Sequence, residues 1–560
     1  MTSKWCPRRV QLLKSSFCRS YASSQTIKTS ISATLTQKPY YVTSPIFYVN
    51  AAPHIGHLYS TVIADILARW QQIRNPTRPA LYTTGTDEHG LKIQQAAKAR
   101  GQSPRELCDS TSQFFRDLAA QSGIVSTSFI RTTEQSHRLA VESIWNELVQ
   151  RGYIYKGVHS GWYAVSDEAF YTSKQVEEVV DPHNGEKYHR SKETGKQVVW
   201  TDEENYKFRL SQFRLPLKEW IERASPVYPR QRQNELLEYL SDDSSLQDLS
   251  VSRPKARVDW GLSVPDDPAH TIYVWLDALT SYMTAVGCPW SDTQTMRSSG
   301  WPADVHVVGK DILRFHAVYF PAFLMALDIP LPRQILCHAH WTMNKQKMAK
   351  SVGNVVDPFK ILETYGQDSV RWYLARVGGN FVDDVDWSLD QLKIIHDRDL
   401  RGLGNLYKRL HAAPMCEGRQ VALPSTSSND PLEKELASSL MTITGEVTEA
   451  MNSLAVARAI DAIMVPIEIT NRYLAHKSPW NETDPDVRAA AVSLSREALR
   501  ICGILLQPFL PNKAPLLLDW LGVPAGKRSL IWAVFGASQR TAGNEATPNQ
   551  KLFDAIKGKL

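Results

Sequence analysis

"NAAPHIGHLYSTVIAD", residues 50–65, is the stretch on which the fold turns. Before it, "YVTSPIFYV" (41–49) is an extended run of β-branched and aromatic residues. After it, "LYSTVIADILARW" (58–70) places Ile63, Ile66, Leu67 and Trp70 at helical spacing. A strand that hands over to a helix through a short turn is half of a βαβ unit, and the pattern recurs. "ALYTTGT" (80–86), "VHVVG" (305–309) and "ILCHAHW" (335–341) read as further strands, each closing in a polar or glycine-containing turn. Residues 38–390 therefore predict an α/β domain built on a Rossmann-like parallel sheet. Within it, about 155–270 is richer in charge and turns, as in "DPHNGEKYHRSKETGKQ" (181–197), and reads as an inserted connective domain.

Beyond "DWSLDQLK" the period changes. Leu432, Leu436, Leu440, Ile443, Val447, Met451 and Leu454 recur in three- and four-residue steps and line one helix face. "ALPSTSSNDP" (422–431) is the loop before it, and Pro466 is expected to end or kink the helix that contains it. Residues 391–560 thus predict a separate α-helical bundle.

The 560 residues are 43% hydrophobic and 22% charged, a globular balance for two or three domains, with no apolar run of membrane-spanning length. The 7 cysteines are scattered and form no CxxC pair, which argues against a disulfide framework or a thiolate zinc site and fits a reducing compartment. The net charge of +6 is unevenly placed. No acidic residue precedes Asp65, whereas Lys4, Arg8, Arg9, Lys14, Arg19, Lys28 and Lys38 crowd the start. With "SSFCRSYASSQTIKTSISATLTQ" (15–37) rich in hydroxyls, residues 1–37 read as a mitochondrial transit peptide, "RSYAS" (19–23) resembling a processing site. A basic arm that grips nucleic acid is the competing reading, but such arms rarely exclude acids so completely. Without those cations the body carries a formal charge of about −1, so any nucleic-acid contact must come from local basic faces.

Ligands of an open parallel sheet gather outside the carboxyl ends of its strands, where helix N-termini present free N–H groups. At that place Gly56 lets an anion approach the first turn, and His54 and His57 can donate to it, which suits a nucleoside triphosphate. The same His-x-x-His could hold a metal or cap the helix. Downstream, "NKQKMAKSVGN" (344–354) sets Lys345, Lys347 and Lys350 beside Ser351 and Gly353 just after a strand. A loop of this kind can neutralise the charge that develops on an α-phosphate and departing pyrophosphate, although a lysine run alone is usually a solvated surface.

Taken together, "HIGH" (54–57) and "KMAKS" (347–351) resemble the class I aminoacyl-tRNA synthetases, with Ala349 where serine is commoner and both lysines present. "VTSPIFYVNAAPHIGHLYS", "TGTDEHGLKIQQAA", "WYAVSDEAFY", "YVWLDALTSYM", "GKDILRFHAVYFPAFL" and "NRYLAHKSPW" extend the resemblance, from about residue 40 to at least 510, to the methionyl-tRNA synthetases. The resemblance implies a catalytic α/β domain followed by an anticodon-binding bundle. It implies ATP held by His54, Gly56, His57, Lys347, Lys350 and Ser351, of which the two histidines and two lysines are catalytic. It implies a methionine pocket of Ile46, Tyr48, Trp275, Ala278, Leu279, Tyr282, Ile312 and His316, with Asp87 on the α-ammonium. The chemistry agrees: a flexible thioether wants aromatic walls and a polar handle, here the Tyr282 hydroxyl or His316. An ammonium wants a carboxylate, which leaves Asp87 and Glu88 open until family position selects Asp87.

The same resemblance implies an ATP- and Mg2+-dependent ligation of methionine to tRNA(Met) through methionyl-adenylate, on the terminal 2′-hydroxyl, for protein synthesis in the mitochondrial matrix. The chain ends without a long appended module, and a monomer without membrane attachment is expected. In the bundle, "LKIIHDRDLRGLGNLYKRLH" (392–411) carries Lys393, Arg398, Arg401, Lys408 and Arg409 on a potential RNA face. Family position selects Arg401, Asn471 and Trp480 for the anticodon, while Asp397 stands where asparagine is frequent. One departure concerns zinc: "WYAVSDEAFY" has Ala164 and Asp167 where the family often has knuckle cysteines, and no cysteine lies between 109 and 287. His159, His183 and His189 do not reproduce a closed site, so no structural zinc is expected. An enzyme for leucine or cysteine would need an editing insert or thiolate ligands, a small-metabolite adenylyltransferase would not need the bundle, and a non-catalytic tRNA-binding relic should have lost His54, His57 or Lys350.

Overall fold

Six parallel strands form the central sheet: β1 (Tyr40–Tyr48), β2 (Ala80–Asp87), β3 (Ser128–Arg131), β4 (Val227–Tyr228), β5 (Val305–Gly309) and β6 (Gln334–His338), in the order β3-β2-β1-β5-β6-β4. The structure is a computed structural model that describes residues 37–165, 169–180, 185–348, 353–410, 429–537 and 551–555. The leader expected over 1–37 lies, but for Gln37, outside the described residues. From β1 the chain first builds outward through β2 to β3 and later adds β5 on the other side of β1. The strand order reverses there, so the carboxyl ends of β1 and β5 bound a crevice. In β1 the pairing with β2 shifts register between Thr43 and Ile46, where Pro45 has no N–H for the ladder. β3 and β4, four and two residues long, are edge-ward strands that periodicity did not indicate.

The helices that position the site are α1 (Ile55–Arg74), α2 (Gln135–Gln150), α3 (Val274–Thr284) and α4 (Gln367–Gly378), followed by α5 (Arg401–Leu410), α6 (Pro431–Asn452), α7 (Val456–Lys477) and α8 (Pro485–Leu506). The predicted stripe holds: Leu436, Leu440, Ile443, Val447 and Met451 are the buried face of α6. Pro466 does not end its helix; α7 continues through it. Its missing N–H removes one hydrogen bond, a loss of about 3 kcal/mol in an isolated helix, and packing against α6 and α8 offsets it. The helix expected over 392–411 runs without a break from Leu389 to the last described residue, Leu410, with a π-helical turn at His396–Leu400 between its first stretch (Leu389–Ile395) and α5.

The helical third is not a separate core. One cluster of buried side chains runs from Val62 and Trp70 on α1 and Leu336 on β6 to Leu440 and Val447 on α6, Ile460 on α7 and Leu505 on α8. Residues 39–560 form one compact unit. Through its middle passes Arg371 of α4, 0% exposed. Its Nη2 binds Asp65 of α1 at 2.6 Å and the carbonyl of Pro508 at 3.1 Å, and Nη1 reaches the carbonyl of Ser122 at 3.4 Å.

The insert is an antiparallel sheet of strands Ile154–Ala164, Ala169–Tyr171, Val176–Val180, Lys187–Ser191 and Gln197–Phe208. Its own small core is Ala164, Tyr171, Val176 and Val198 with Trp162 against them. Ala164 is thus a buried methyl group where a metal-binding knuckle would need a thiolate. His189 stacks on Trp162 at 4.2 Å, while Asp167, His183 and the side chain of His159 lie outside the described residues. Among the described residues no group of three His, Cys, Asp or Glu is placed to hold a metal ion.

Candidate active site

α1 begins with a cap made of imidazoles. His54 is the N-cap, and its Nδ1 accepts the N–H of Gly56 at 3.0 Å; Nδ1 of His57 accepts the N–H of His54 at 3.1 Å. The rings stack at 3.8 Å, and His57 is held edge-on by Phe47 and Phe115. A Nδ1 that accepts carries no proton, so each neutral ring carries it on Nε2 and acts as a donor there. The first turn holds no acidic residue, so no side chain within it opposes the positive end of the 20-residue helix. Capping and anion binding, alternatives in the sequence, are therefore compatible here. Gly56 has a reason beyond the one expected: a Cβ would stand 2.8 Å from Cε1 of His54, so the glycine makes room for the ring.

The sequence-predicted methionine residues come from four segments: β1, β2, α3 and the turn after β5. Tyr48 pairs with Asp87 across β1 and β2, and Ile46 with Gly85, so Tyr48 and Asp87 share a sheet face. Trp275, Ala278, Leu279 and Tyr282 lie at i, i+3, i+4 and i+7 on α3. Ile312 and His316 follow β5, His316 within a π-helical turn (Phe315–Tyr319). Trp275 stacks on Phe315 at 3.6 Å. The two candidate handles for sulfur form one unit. His316 Nδ1–H donates to the carbonyl of Ile312 at 2.8 Å, which leaves Nε2 to accept the Tyr282 hydroxyl at 2.8 Å. Burial holds His316 down at about 4, so the ring is neutral, and it raises the Tyr282 phenol, with Tyr41 and Asp87 adding to that. Behind Tyr282, at 4.8 Å, lies the buried His306, bound to Thr43 Oγ1 at 2.6 Å.

The two residues after Asp87 are anchored. Glu88 accepts Arg131 at 2.7 and 3.0 Å and the hydroxyl of Thr86 at 2.7 Å, so a guanidinium already occupies it. His89 Nδ1 meets Asp277 Oδ2 at 2.7 Å, and His137 Nε2 of α2 meets Oδ1 at 2.7 Å. Burial would raise the Asp277 carboxyl, but the two imidazoles outweigh it and hold it at about 2.

Lys347 closes a two-strand hairpin (Trp341–Met343 with Gln346–Lys347), whose turn residues Asn344 and Lys345 have φ of 54° and 61°. The Lys347 ammonium pairs with Asp311, just beyond β5, which His340 also approaches at 3.5 Å. Asn354 Nδ2 bonds the Lys347 carbonyl at 3.2 Å, and Ile55 N–H at the start of α1 bonds the carbonyl of Val356 at 3.3 Å. The segment after the lysine motif thus returns to the histidine cap. Lys350 and Ser351 lie outside the described residues.

In the helical third the expected RNA face is partly engaged internally. Arg398 pairs with Asp399 at 2.7 Å and Arg401 with Asp397 at 2.9 Å. Asn471 accepts from Arg409 and donates to the carbonyl of Ile467 at 3.0 Å. Trp480, 44% exposed, is not a filler of the bundle. Sequence reasoning missed Asp311, Asp277, His89, His137 and His306, because nothing in spacing marks which polar residues meet.

An imidazole-capped helix after the first strand, facing a lysine hairpin after the last, is how class I aminoacyl-tRNA synthetases frame a nucleotide, and the comparisons place the chain in that class. Residues 40–411 match the family model described as "tRNA synthetases class I (M)", and residues 423–558 match "Anticodon binding domain of methionyl tRNA ligase". The chain is 42% identical, over 93% of its length and 86% of the relative's, to the probable mitochondrial methionine–tRNA ligase of Neurospora crassa. It is 42% identical, over 88% of its length and 85% of the relative's, to the mitochondrial methionine–tRNA ligase of Homo sapiens. The solved Mycobacterium tuberculosis methionyl-tRNA synthetase in complex with methionyl-adenylate superposes with a TM-score of 0.84 at 36% identity, covering 92% of this chain and 100% of that one. The chain belongs to the methionyl-tRNA synthetase family.

Proposed function

We propose that the chain attaches methionine to tRNA(Met) in mitochondria in two steps at the crevice between β1 and β5. In the first, a methionine carboxylate oxygen attacks the α-phosphorus of ATP, the bond to the β,γ-phosphates breaks, and methionyl-adenylate and pyrophosphate form. Nε2–H of His54 and His57 and the ammonium groups of Lys347 and Lys350 stabilise charge on the phosphates; Gly56 and Ser351 complete the ATP site. No side chain forms a covalent bond, so the rate comes from placement and charge. Asp87 holds the α-ammonium, and Ile46, Tyr48, Trp275, Ala278, Leu279, Tyr282, Ile312 and His316 hold the side chain. In the second step the 2′-hydroxyl of the terminal adenosine attacks the acyl carbon, AMP leaves, and the proton is lost to AMP or solvent.

Mg2+ enters as part of its ATP substrate, bound to the triphosphate. Ala164 in the insert's apolar core does not suit structural zinc, and no step uses one. Trp480, Arg401 and Asn471 read the anticodon; residues 1–37 direct the chain to the matrix, consistent with its mitochondrial relatives, and the enzyme acts as a monomer. Residues 38–390 carry the chemistry and 391–560 the anticodon contact. The observation that supports the reading most is the tautomer set by the cap, since Nδ1 of each imidazole accepts a backbone N–H and the ring proton is left on Nε2 at the strand switch point. Methionine-dependent exchange of labelled pyrophosphate into ATP tests it, using protein that begins at Pro39, with leucine, cysteine and isoleucine as controls. Exchange with methionine alone is expected; folded protein that supports exchange with none of the four overturns it.

A further inference from the structure

Asp277 is a buried acid for which the two steps above have no use, and its surroundings explain why it is an acid. It is 1% exposed on α3, two residues from Trp275 and five from Tyr282, and so lies off the face that lines the pocket. Each of its oxygens meets a different imidazole at 2.7 Å: His89, which follows β2, and His137 of α2. His137 is fixed in turn by Thr284 Oγ1 at 2.9 Å, again on α3. His89 is two residues beyond Asp87, with Glu88 between them locked to Arg131. A carboxylate bonded through both oxygens to groups on two other elements has neither rotation nor translation left to it.

We propose that Asp277 is a positioning residue that, through His89, sets the distance between the methionine-lining face of α3 and the carboxylate of Asp87. The inference rests on the methionine pocket assigned under the proposed function. An amino acid that must place its ammonium at one wall and its thioether at another is gripped only if those walls keep a fixed separation. The bridge across Asp277 is the buried polar link between them. Asparagine at this position supplies one acceptor oxygen and turns its amide toward an imidazole N–H, so one arm of the bridge is lost.

The test is steady-state pyrophosphate exchange with methionine and ATP varied separately. Asp277→Asn and His89→Ala are expected to raise the methionine KM about tenfold or more while the ATP KM stays within about twofold. His89→Asn, whose amide returns a donor near the place of Nδ1, is expected to recover most of the loss. A merely structural role would instead lower kcat and the melting temperature with no selective change in the methionine KM, and would overturn the proposal. Where Asp277→Asn fails to fold, the His89 pair decides. Asp87→Asn is the reference. If it raises the methionine KM and the His89 variants do not, the positioning role is wrong and the pocket stands; if it does not, the pocket assignment falls and this proposal with it.

Discussion

His54 has two jobs that one substitution separates. As N-cap it accepts the Gly56 N–H, and in the reaction proposed above its Nε2 donates toward phosphate. His54→Ala removes both: the lost cap costs about 1 kcal/mol of stability, and the lost donor about 3 kcal/mol of transition-state stabilisation, roughly 10²-fold in exchange rate. His54→Asp separates them. A carboxylate is among the best N-caps and complements the helix dipole, so the melting temperature should equal or exceed that of the parent. The same carboxylate places a negative charge where phosphate must sit; at about 4 Å and an effective dielectric near 20 the repulsion is about 4 kcal/mol. Added to the lost donor, this predicts a fall in exchange of more than about 10⁴-fold in a protein at least as stable. Melting curves and pyrophosphate exchange on the same preparations check both halves. Retention of a tenth or more of the parent rate by His54→Asp would show that the imidazole only caps the helix.

Other outcomes follow from the same geometry. Trp480→Ala should leave pyrophosphate exchange unchanged and stability within about 0.5 kcal/mol, while aminoacylation at limiting tRNA falls by one lost base stack, about 1–3 kcal/mol; loss of exchange as well would point to misfolding. Arg371→Met leaves the buried charge of Asp65 with Arg69 at 2.7 Å and the N–H of Val125 at 3.2 Å but without its buried guanidinium, and should cost about 3–5 kcal/mol by urea unfolding. The double variant with Asp65→Asn should recover part of that cost. Burial lowers His316, His338 and His340 to about 4, whereas the unfolded chain binds their protons near 6.5. Their contribution is therefore complete above about pH 6.5 and is lost as pH falls toward 4, at about 1.4 kcal/mol per pH unit for each ring. Urea midpoints measured from pH 7.5 to 5 should fall on acidification, less steeply in His338→Asn; a flat profile would refute the linkage.

What could be read from the chain follows physical lines. β1, β2, β5 and β6 are the longer, inner strands, whose β-branched, aromatic and aliphatic residues between turn signals a sequence displays openly. β3 and β4 are short and pair on one side or at the margin of the sheet, so their residues carry no run to recognise. His54, His57 and Lys347 were legible because backbone turns place them, and a turn is local in sequence. The meeting of Asp277 with His89 and His137 spans 188 and 140 residues, and the Lys347 to Asp311 pair 36. Such pairings are decided by sheet order, which no local pattern encodes. Of the two outcomes expected at Pro466, an end or a kink, the end is absent: tertiary packing carries the helix through the residue against its propensity.

The core that passes without interruption from α1 into α6, α7 and α8 limits how this enzyme can be taken apart or re-addressed. A bundle attached by a flexible tether could be exchanged for one that reads another anticodon, leaving the chemistry untouched. Here the floor of the bundle is also the ceiling over the histidine-bearing helix, with Arg371 threaded between Asp65 and Pro508. Grafting a foreign anticodon reader would strip α1 of its outer cover and leave Asp65 facing an unmatched surface. A change of tRNA specificity in this scaffold therefore has to be made by substitutions at the outward positions proposed to meet the anticodon, on α5, on α7 and at Trp480 beyond it, with the shared interior kept intact.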